Sequence, residues 1–166
     1  MRPPVRRRRN SLRLPTYDYS QPGAYFVTLV CKDRMLLFET EAFKSVAENA
    51  WTELEGLYDL VTLDVYVMMP NHFHGIIWLN EPCRGGSRTA PTARSGKPLG
   101  RLMGAFKTMS TKRINAIRGT PAAVVWQRSY HDRIIRDEPE LLRAREYILD
   151  NPRRWAEDVE NPAFHG

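Results

Sequence analysis

One stretch limits the fold of this chain more than any other. Residues 66–78, YVMMPNHFHGIIW, consist of two apolar runs with Pro70-Asn71 between them. Each run is shorter than a usual helix, and a proline followed by an asparagine favours a tight turn. The stretch therefore predicts a hairpin of two antiparallel strands, at 61–69 and 72–79.

The second strand of this hairpin begins with His-Phe-His. Because alternate side chains of a strand lie on the same face, His72 and His74 are predicted to face one side of the sheet and Phe73 the other. Two imidazoles placed in this way can bind a metal ion, although such pairs are also found simply packed on a sheet. The hairpin by itself leaves both roles open.

Hydrophobic periodicity predicts the remaining elements. In chain order they are a strand at 24–31, a helix at 40–57, the hairpin strands, a loop at 80–98, a helix at 99–117, a strand at 122–126 and a helix at 137–151. This order favours an α+β fold of the ferredoxin-like, split βαβ kind, with an antiparallel sheet and helices packed on one face. The 166 residues suit one domain at 23–155, between a basic flexible tail at 1–22 and a C-terminal tail at 156–166.

The formal net charge of +6 is concentrated in two stretches without acidic residues. Residues 1–16 hold six arginines, and residues 82–131 hold ten lysines or arginines. This segregation suits a polyanionic partner such as nucleic acid, although a basic tail and a solvated helix face would give the same pattern. The predicted DNA contacts are Arg6, Arg7, Arg8, Arg9, Arg101, Lys107, Lys112, Arg113, Arg133 and Arg136.

Cysteine content and hydropathy indicate the compartment. The chain contains only Cys31 and Cys83, which are too few for a disulfide framework and receive no function. No apolar run reaches the roughly 18 residues of a membrane span, and no signal-peptide core follows the arginine-rich start. A cytoplasmic protein without a membrane partner is therefore expected.

The last predicted helix carries a second pair of candidate residues. Asp137 and Glu140 have the spacing of a capping box, which indicates where this helix begins. Tyr147 and Asn151 are four residues apart, so they share one helix face. Both side chains can therefore point at whatever the helix packs against.

Four motifs, taken in order, resemble those of the IS200-like single-tyrosine (Y1, HUH-type) transposases. They are VMMPNHFHGI at 67–76, WQ at 126–127, IIR at 134–136 and YILDNP at 147–152. Within that group the chain is most similar to the REP-associated tyrosine transposases, over about residues 22–155. The resemblance implies a ferredoxin-like fold, a homodimer, and a metal-dependent endonuclease and strand transferase that acts on single-stranded DNA with hairpins during DNA transposition.

The resemblance also implies a role for each candidate residue. His72 and His74 correspond to the metal ligands, Tyr147 to the nucleophile and Asn151 to a polar third ligand. The implied cofactor is a divalent metal ion, Mg²⁺ or Mn²⁺. Attack of the tyrosine on a phosphodiester would give a 5′-phosphotyrosine link and a free 3′-hydroxyl.

Arg133, Tyr130 and the function as a whole each allow a second interpretation. Many relatives carry histidine at the position of Arg133, where we predict a phosphate contact instead of a metal or proton role. His131 could take the metal or proton role of that histidine only with a shift in strand register. Tyr130 is a rival nucleophile, but it has no polar partner at helical spacing. The alternative function is a catalytically silent DNA-binding regulator of the same fold, whereas a histidine-triad enzyme would need histidine in place of Ile76.

Overall fold

Four antiparallel strands form the sheet on which the site is built. The computed structural model of the protein describes residues 18–81, 98–157 and 161. The strands are β1 (Gly23–Val30), β2 (Val61–Met68), β3 (His72–Leu79) and β4 (His131–Ile135), and the α-helices are α1 (Glu41–Leu57), α2 (Leu99–Arg118) and α3 (Glu138–Asp150). Short 3₁₀ helices lie at Lys32–Arg34, Leu37–Glu39 and Asn151–Glu157. The strand order is β2-β3-β1-β4, which confirms the predicted ferredoxin-like α+β fold.

The predicted hairpin of β2 and β3 is confirmed. The two strands pair directly, and the backbone N–H of Met69 donates to the carbonyl oxygen of His72 at 2.8 Å across the Pro70-Asn71 turn. On its other side β3 pairs with β1 along its whole length. His72 and His74 therefore lie in a central strand of the sheet.

Helices cover both faces of the sheet, so the expectation of helices on one face holds for α1 and α2 and not for α3. α1 and α2 pack together on one face, over a core that includes Phe73 and Ile77 of β3. α3 covers the opposite face, where its buried residues cluster with Ile76. Odd-numbered residues of β3 thus face α1 and α2, and even-numbered residues face α3.

The fourth strand lies later in the chain than predicted, so the strand expected at 122–126 is wrong. In the described residues this segment makes one isolated β-bridge, at Trp126. Only Val125 and Trp126 of this segment are buried, and the Trp126 ring packs on Phe38 and Phe106 with centroid distances of 5.2 and 5.4 Å. The pairing with β1 is made instead by His131–Ile135, since an edge strand with one solvated side tolerates polar residues.

The three α-helices begin and end within one residue of the predicted positions. The Asp137 side chain accepts a hydrogen bond from the Glu140 backbone N–H at 2.8 Å, and the Glu140 carboxylate accepts one from the Arg136 N–H at 3.0 Å. The first bond is the N-cap bond of the predicted capping box, and the second comes from Arg136, one residue before the N-cap Asp137. Across the described ranges, no helix combines the length and apolar character that a membrane span needs.

Gly75 separates the histidines from the core behind them. A Cβ atom at this position would lie 2.8 Å from Cζ of Phe73 and 2.9 Å from Cζ2 of Trp51. Those two rings are fully buried and have centroids 4.6 Å apart. The absence of a side chain at Gly75 therefore lets α1 pack closely against β3 directly behind His74.

Candidate active site

β3 places His72 and His74 side by side beneath α3. Their residues are 0% and 6% exposed, and their ring centroids lie 4.7 Å apart. Phe73 packs on the opposite face of the sheet against Trp51. The predicted sharing of one face is confirmed, and binding of a metal ion stays a prediction.

Each imidazole is oriented through its Nδ1 atom. Nδ1 of His72 lies 2.8 Å from Oδ1 of Asn71, and because an amide oxygen can only accept, the imidazole donates. Nδ1 of His74 lies 2.8 Å from the Thr28 hydroxyl. Such bonds fix the ring orientation and leave Nε2 as the atom for a metal. Burial, and then the nearby His72, lowers the pKa of His74 to about 3, so its ring is neutral, which is the form that binds metals.

α3 brings Tyr147 to the histidine pair. Its ring lies edge-on to His74, with centroids 5.3 Å apart, and also packs on Phe26 at 6.0 Å. The residue is 47% exposed, so a substrate can reach it while the ring is held against the sheet. The structure therefore joins the predicted nucleophile to one of the predicted metal ligands.

Asn151 is buried between two residues that contact the histidine pair. It follows the last residue of α3 and is 3% exposed, and among the described residues its Oδ1 atom has no hydrogen-bond partner. Four residues before it Tyr147 contacts His74, and four residues after it the Trp155 ring lies 5.9 Å from the ring of His72. A buried oxygen without a donor is costly, so it is suited to an ion.

These residues fit a divalent metal ion with nitrogen and oxygen ligands. Within residues 18–81 and 98–157, no three or more His, Cys, Asp or Glu side chains are grouped to hold a metal. The histidine pair and the buried oxygen of Asn151 supply three uncharged ligand atoms instead. Mn²⁺ binds both imidazole nitrogen and amide oxygen, whereas Mg²⁺ prefers the oxygen ligand.

An ion pair fastens α3 to the sheet two residues before Tyr147. Nε and Nη2 of Arg145 donate to the two carboxylate oxygens of Asp64 in β2, at 3.0 and 2.7 Å. Nε1 of Trp78 and the backbone N–H of Val65 donate to the same carboxylate at 3.1 and 2.8 Å. The Asp64 side chain is only 11% exposed. The pair therefore fixes the position of α3, and with it the position of Tyr147.

A cleft of about 460 Å³ opens beside Tyr147. Its lining includes Phe26, His74, His131, Arg133, Arg143 and Tyr147. His131 pairs with Thr28, which pairs in turn with His74, so the three residues form one row across the sheet. Because directly paired residues share a face, His131 lies on the side of the active site without any shift in register.

Arg133 lies on the β4 wall of this cleft. Its guanidinium is 3.3 Å from Oε1 of Glu140 and lies over the ring of Phe26, 5.8 Å from the centroid. The Arg133 side chain is nevertheless 60% exposed. Arg136, just beyond the end of β4, is also exposed. Both positions are accessible to a phosphate, and the predicted contacts stay predictions.

The other predicted DNA contacts are not brought to the cleft. Four of them, Arg101, Lys107, Lys112 and Arg113, belong to α2, which covers the opposite face of the sheet. The Lys107 ammonium donates to the carbonyl oxygens of residues 127–129, and Arg113 makes two hydrogen bonds with Glu53. The other two are exposed. The tail arginines Arg6 to Arg9, and residues 82–97 of the loop predicted at 80–98, lie outside the described residues.

Comparison with known proteins places the chain in a family. No protein-family model matches it. An uncharacterised protein of Haemophilus influenzae is 31% identical, in a match that covers 90% of this chain and 91% of that protein. The chain belongs to the family of that protein. The match spans nearly the full length of both proteins.

In structure, the protein is similar to a REP-associated tyrosine transposase solved bound to a REP hairpin. The TM-score is 0.60 and the sequence identity 17%, over 87% of this chain and 73% of that one. A likeness at this identity establishes the fold, and function has to be argued from the site. The fold implied by the resemblance to IS200-like transposases is therefore confirmed.

The site also contains residues that the sequence analysis does not single out. Thr28 and Asn71 orient the imidazoles, Asp64 anchors α3, and Arg143 lines the cleft. Two of them had a local signal, because Asn71 precedes His72 and Arg143 lies one helical turn before Tyr147. Thr28 and Asp64 had none, since their partners are 46 and 81 residues away in the chain.

Proposed function

We propose that this protein is a metal-dependent endonuclease and strand transferase for single-stranded DNA, a Y1 transposase in which Tyr147 is the nucleophile. The observation that carries the proposal is the contact between the half-exposed Tyr147 and the buried, neutral His74. The buried oxygen of Asn151, one helical turn after Tyr147 and without a hydrogen-bond partner among the described residues, supports a metal site there. A tyrosine with a purely structural role would require neither His74 nor Asn151 nearby.

The proposed reaction is a transfer of the phosphoryl group to the tyrosine. Oη of Tyr147 attacks phosphorus, a new P–O bond forms, and the bond between phosphorus and the 3′ oxygen breaks. The phenol proton passes to solvent, which reaches this half-exposed residue, and the 3′ oxygen takes up a proton. The products are a 5′-phosphotyrosine link and a free 3′-hydroxyl, and attack by another 3′-hydroxyl rejoins the strand without a nucleotide cofactor.

The chain's own residues contribute mainly by positioning. The rings of His74 and Phe26 hold Tyr147 from the side, which limits the directions its hydroxyl can take. His72, His74 and Asn151 would hold the divalent ion. The chemistry that such an ion supplies when bound is polarisation of the phosphate and neutralisation of charge on the leaving oxygen.

The proposed substrate is single-stranded DNA that carries a hairpin. The resemblance supports it, and the similar REP-associated transposase was solved with a REP hairpin. The cleft beside Tyr147 has two guanidinium groups in its lining, which suits a phosphate backbone. A homodimer in the cytoplasm that takes part in DNA transposition stays an expectation from the resemblance and the composition.

The test is a covalent adduct. The protein incubated with hairpin-bearing single-stranded DNA and Mn²⁺ should give a protein–DNA adduct that survives SDS. Tyr147→Phe should abolish the adduct and keep DNA binding, because the ring contacts of Tyr147 do not require its hydroxyl. Tyr130→Phe, which removes the rival hydroxyl, is the control and should form the adduct normally. An undiminished adduct in Tyr147→Phe would contradict the assignment.

A second variant separates the metal site from DNA binding. His74→Ala should abolish cleavage and leave much of the binding, since the imidazole is buried beneath α3. Metal-dependent cleavage that persists in this variant would remove His74 from the site. DNA binding by the unaltered protein without any adduct would instead favour the silent regulator.

A further inference from the structure

Three residues at four-residue intervals run along one side of α3. Arg143, Tyr147 and Asn151 follow one another at a rise of about 6 Å per step, from the helical rise of about 1.5 Å per residue. Asn151, the proposed third metal ligand, lies C-terminal to Tyr147, and Arg143 lies N-terminal to it, where Arg143 and Tyr147 both line the cleft. The proposed nucleophile is therefore flanked in sequence by a proposed metal ligand on one side and a guanidinium on the other.

Arg143 has no acidic partner within the described part of the chain, in contrast to three other arginines on or near α3. Arg133 is paired with Glu140, Arg145 with Asp64, and Arg154 with Asp150. Arg143 is exposed on the cleft, which also receives His131 and Arg133 from β4 and a carboxylate from Asp132. An uncompensated guanidinium at this position is available to an anion.

We propose that Arg143 binds the backbone phosphate next to the one that Tyr147 attacks, with Arg133 and His131 on the facing wall of the cleft. This inference rests on the proposed function. A guanidinium can donate two parallel hydrogen bonds to one phosphate, which fixes orientation as well as supplying charge. Arg143 and Tyr147 are one helical turn apart, about 6 Å along α3, and both line the cleft, so a group bound by Arg143 lies close to the group that Tyr147 attacks.

The contact would set which way the strand lies across the site. Attack on phosphorus requires the leaving 3′ oxygen to lie on the side opposite the Tyr147 hydroxyl. With the scissile phosphate at Tyr147 and its neighbour at Arg143, only one of the two strand directions meets this requirement. Arg143 is therefore a positioning residue for the substrate and takes no part in bond making.

The experiment measures binding in the Tyr147→Phe background, where no cleavage can occur. The probe is the fluorescein-labelled hairpin DNA that the unaltered protein cleaves, with the phosphates around the cleavage site replaced one at a time by neutral methylphosphonates. Arg143→Gln should weaken binding of the unmodified probe roughly tenfold and lower its salt dependence by about one phosphate equivalent. Arg143→Lys, which keeps the charge but not the paired donors, should lose less.

One methylphosphonate, adjacent to the scissile position, should weaken binding of the parent protein and have no further effect on Arg143→Gln. Arg128→Gln removes an exposed charge from the segment before β4 and is the control, which should show no coupling to any position. Equal losses for Arg143→Gln and Arg128→Gln without positional coupling would overturn the inference, as would unchanged binding. Failure of the proposed function looks different, because the unaltered protein would then give no adduct at all.

Discussion

The ring of Tyr147 in α3 meets the ring of His74 in β3 edge-on, with centroids 5.3 Å apart and an angle of 69° between the planes. His74 is held in turn by Thr28, and its ring lies 4.7 Å from that of His72. The contact joins the proposed nucleophile to the proposed metal site across the sheet face. Residues that hold β3 or α3 in place should therefore affect the reaction without touching the substrate.

Thr28→Val should weaken metal binding. The hydroxyl of Thr28 lies 2.8 Å from Nδ1 of His74, and loss of such a partner typically lowers metal affinity about tenfold or more, because the ring is no longer fixed. Calorimetric titration with Mn²⁺ in the absence of DNA measures the change. Thr62→Val, on the exposed side of β2, is the matched control. Equal Mn²⁺ affinity in Thr28→Val and the unaltered protein would mean that this bond does not support the site.

Asp64→Asn should loosen α3. The carboxylate accepts hydrogen bonds from Arg145 and Trp78, and removing one partner of such a buried, charged set costs about 1–3 kcal/mol of the free energy of unfolding. Urea unfolding of Asp64→Asn, Arg145→Gln and the double variant gives the coupling between the two residues. Adduct formation should slow more than DNA binding weakens, since Tyr147 is displaced.

The matched control for that pair is Glu53→Gln. Glu53 also makes two hydrogen bonds with an arginine, Arg113, but both side chains are about two-fifths exposed. Solvent screens an exposed pair, so the change in stability should be much smaller than for Asp64→Asn. Similar losses of the free energy of unfolding in Glu53→Gln and Asp64→Asn would show that burial of Asp64 does not strengthen its ion pair.

The same pair predicts sensitivity to acid. Burial raises the pKa of Asp64, but the hydrogen bonds from Arg145, Trp78 and Val65 outweigh it, so the pKa lies below 3.8. The folded state then binds fewer protons than the unfolded state, and the stabilisation is present above the unfolded pKa and is lost as the pH falls through the folded one. As the pH falls below the ordinary pKa of an aspartate, the free energy of unfolding should fall less steeply in Asp64→Asn than in the unaltered protein.

Gly75→Ala should destabilise the protein and disturb the histidines. The added Cβ would lie within 3 Å of the rings of Phe73 and Trp51, which are fully buried and cannot swing away. Overpacking of this kind costs about 1–3 kcal/mol. In thermal unfolding, Gly56→Ala serves as the control: a Cβ there meets nothing within 4 Å, so stability should be kept or slightly raised. A Gly75→Ala variant as stable as the unaltered protein would show that the rings of Phe73 and Trp51 can rearrange to accommodate a Cβ atom.

Deletion of residues 1–13 should weaken DNA binding and flatten its salt dependence. The segment carries six arginines and no acidic residue, and each phosphate contact contributes about 0.7 to the logarithmic salt slope for a single strand. Binding measured at several salt concentrations gives the slope before and after deletion. An unchanged slope would make the tail irrelevant to DNA binding.

The strand that the sequence misplaces shows the limit of local patterns. In the apolar run at 122–126 only Val125 and Trp126 are buried, and Trp126 fills a space beside α2, where its Nε1–H donates to Ser110. Periodicity reports burial and cannot distinguish a buried loop from a buried strand in so short a run. β4 could be recognised only from its pairing with β1, which joins residues more than 100 positions apart.

The sequence by itself determined the hairpin, the common face of His72 and His74, and the common helix face of Tyr147 and Asn151. Each of these follows from a period of two or of 3.6 residues, so neighbours along the chain are enough to define it. Only the tertiary structure decided that α3 covers the face opposite α1 and α2, that the basic α2 lies away from the cleft, and that Thr28 and Asp64 support the site. These features depend on contacts between distant segments, and such contacts leave no periodic signal in the sequence.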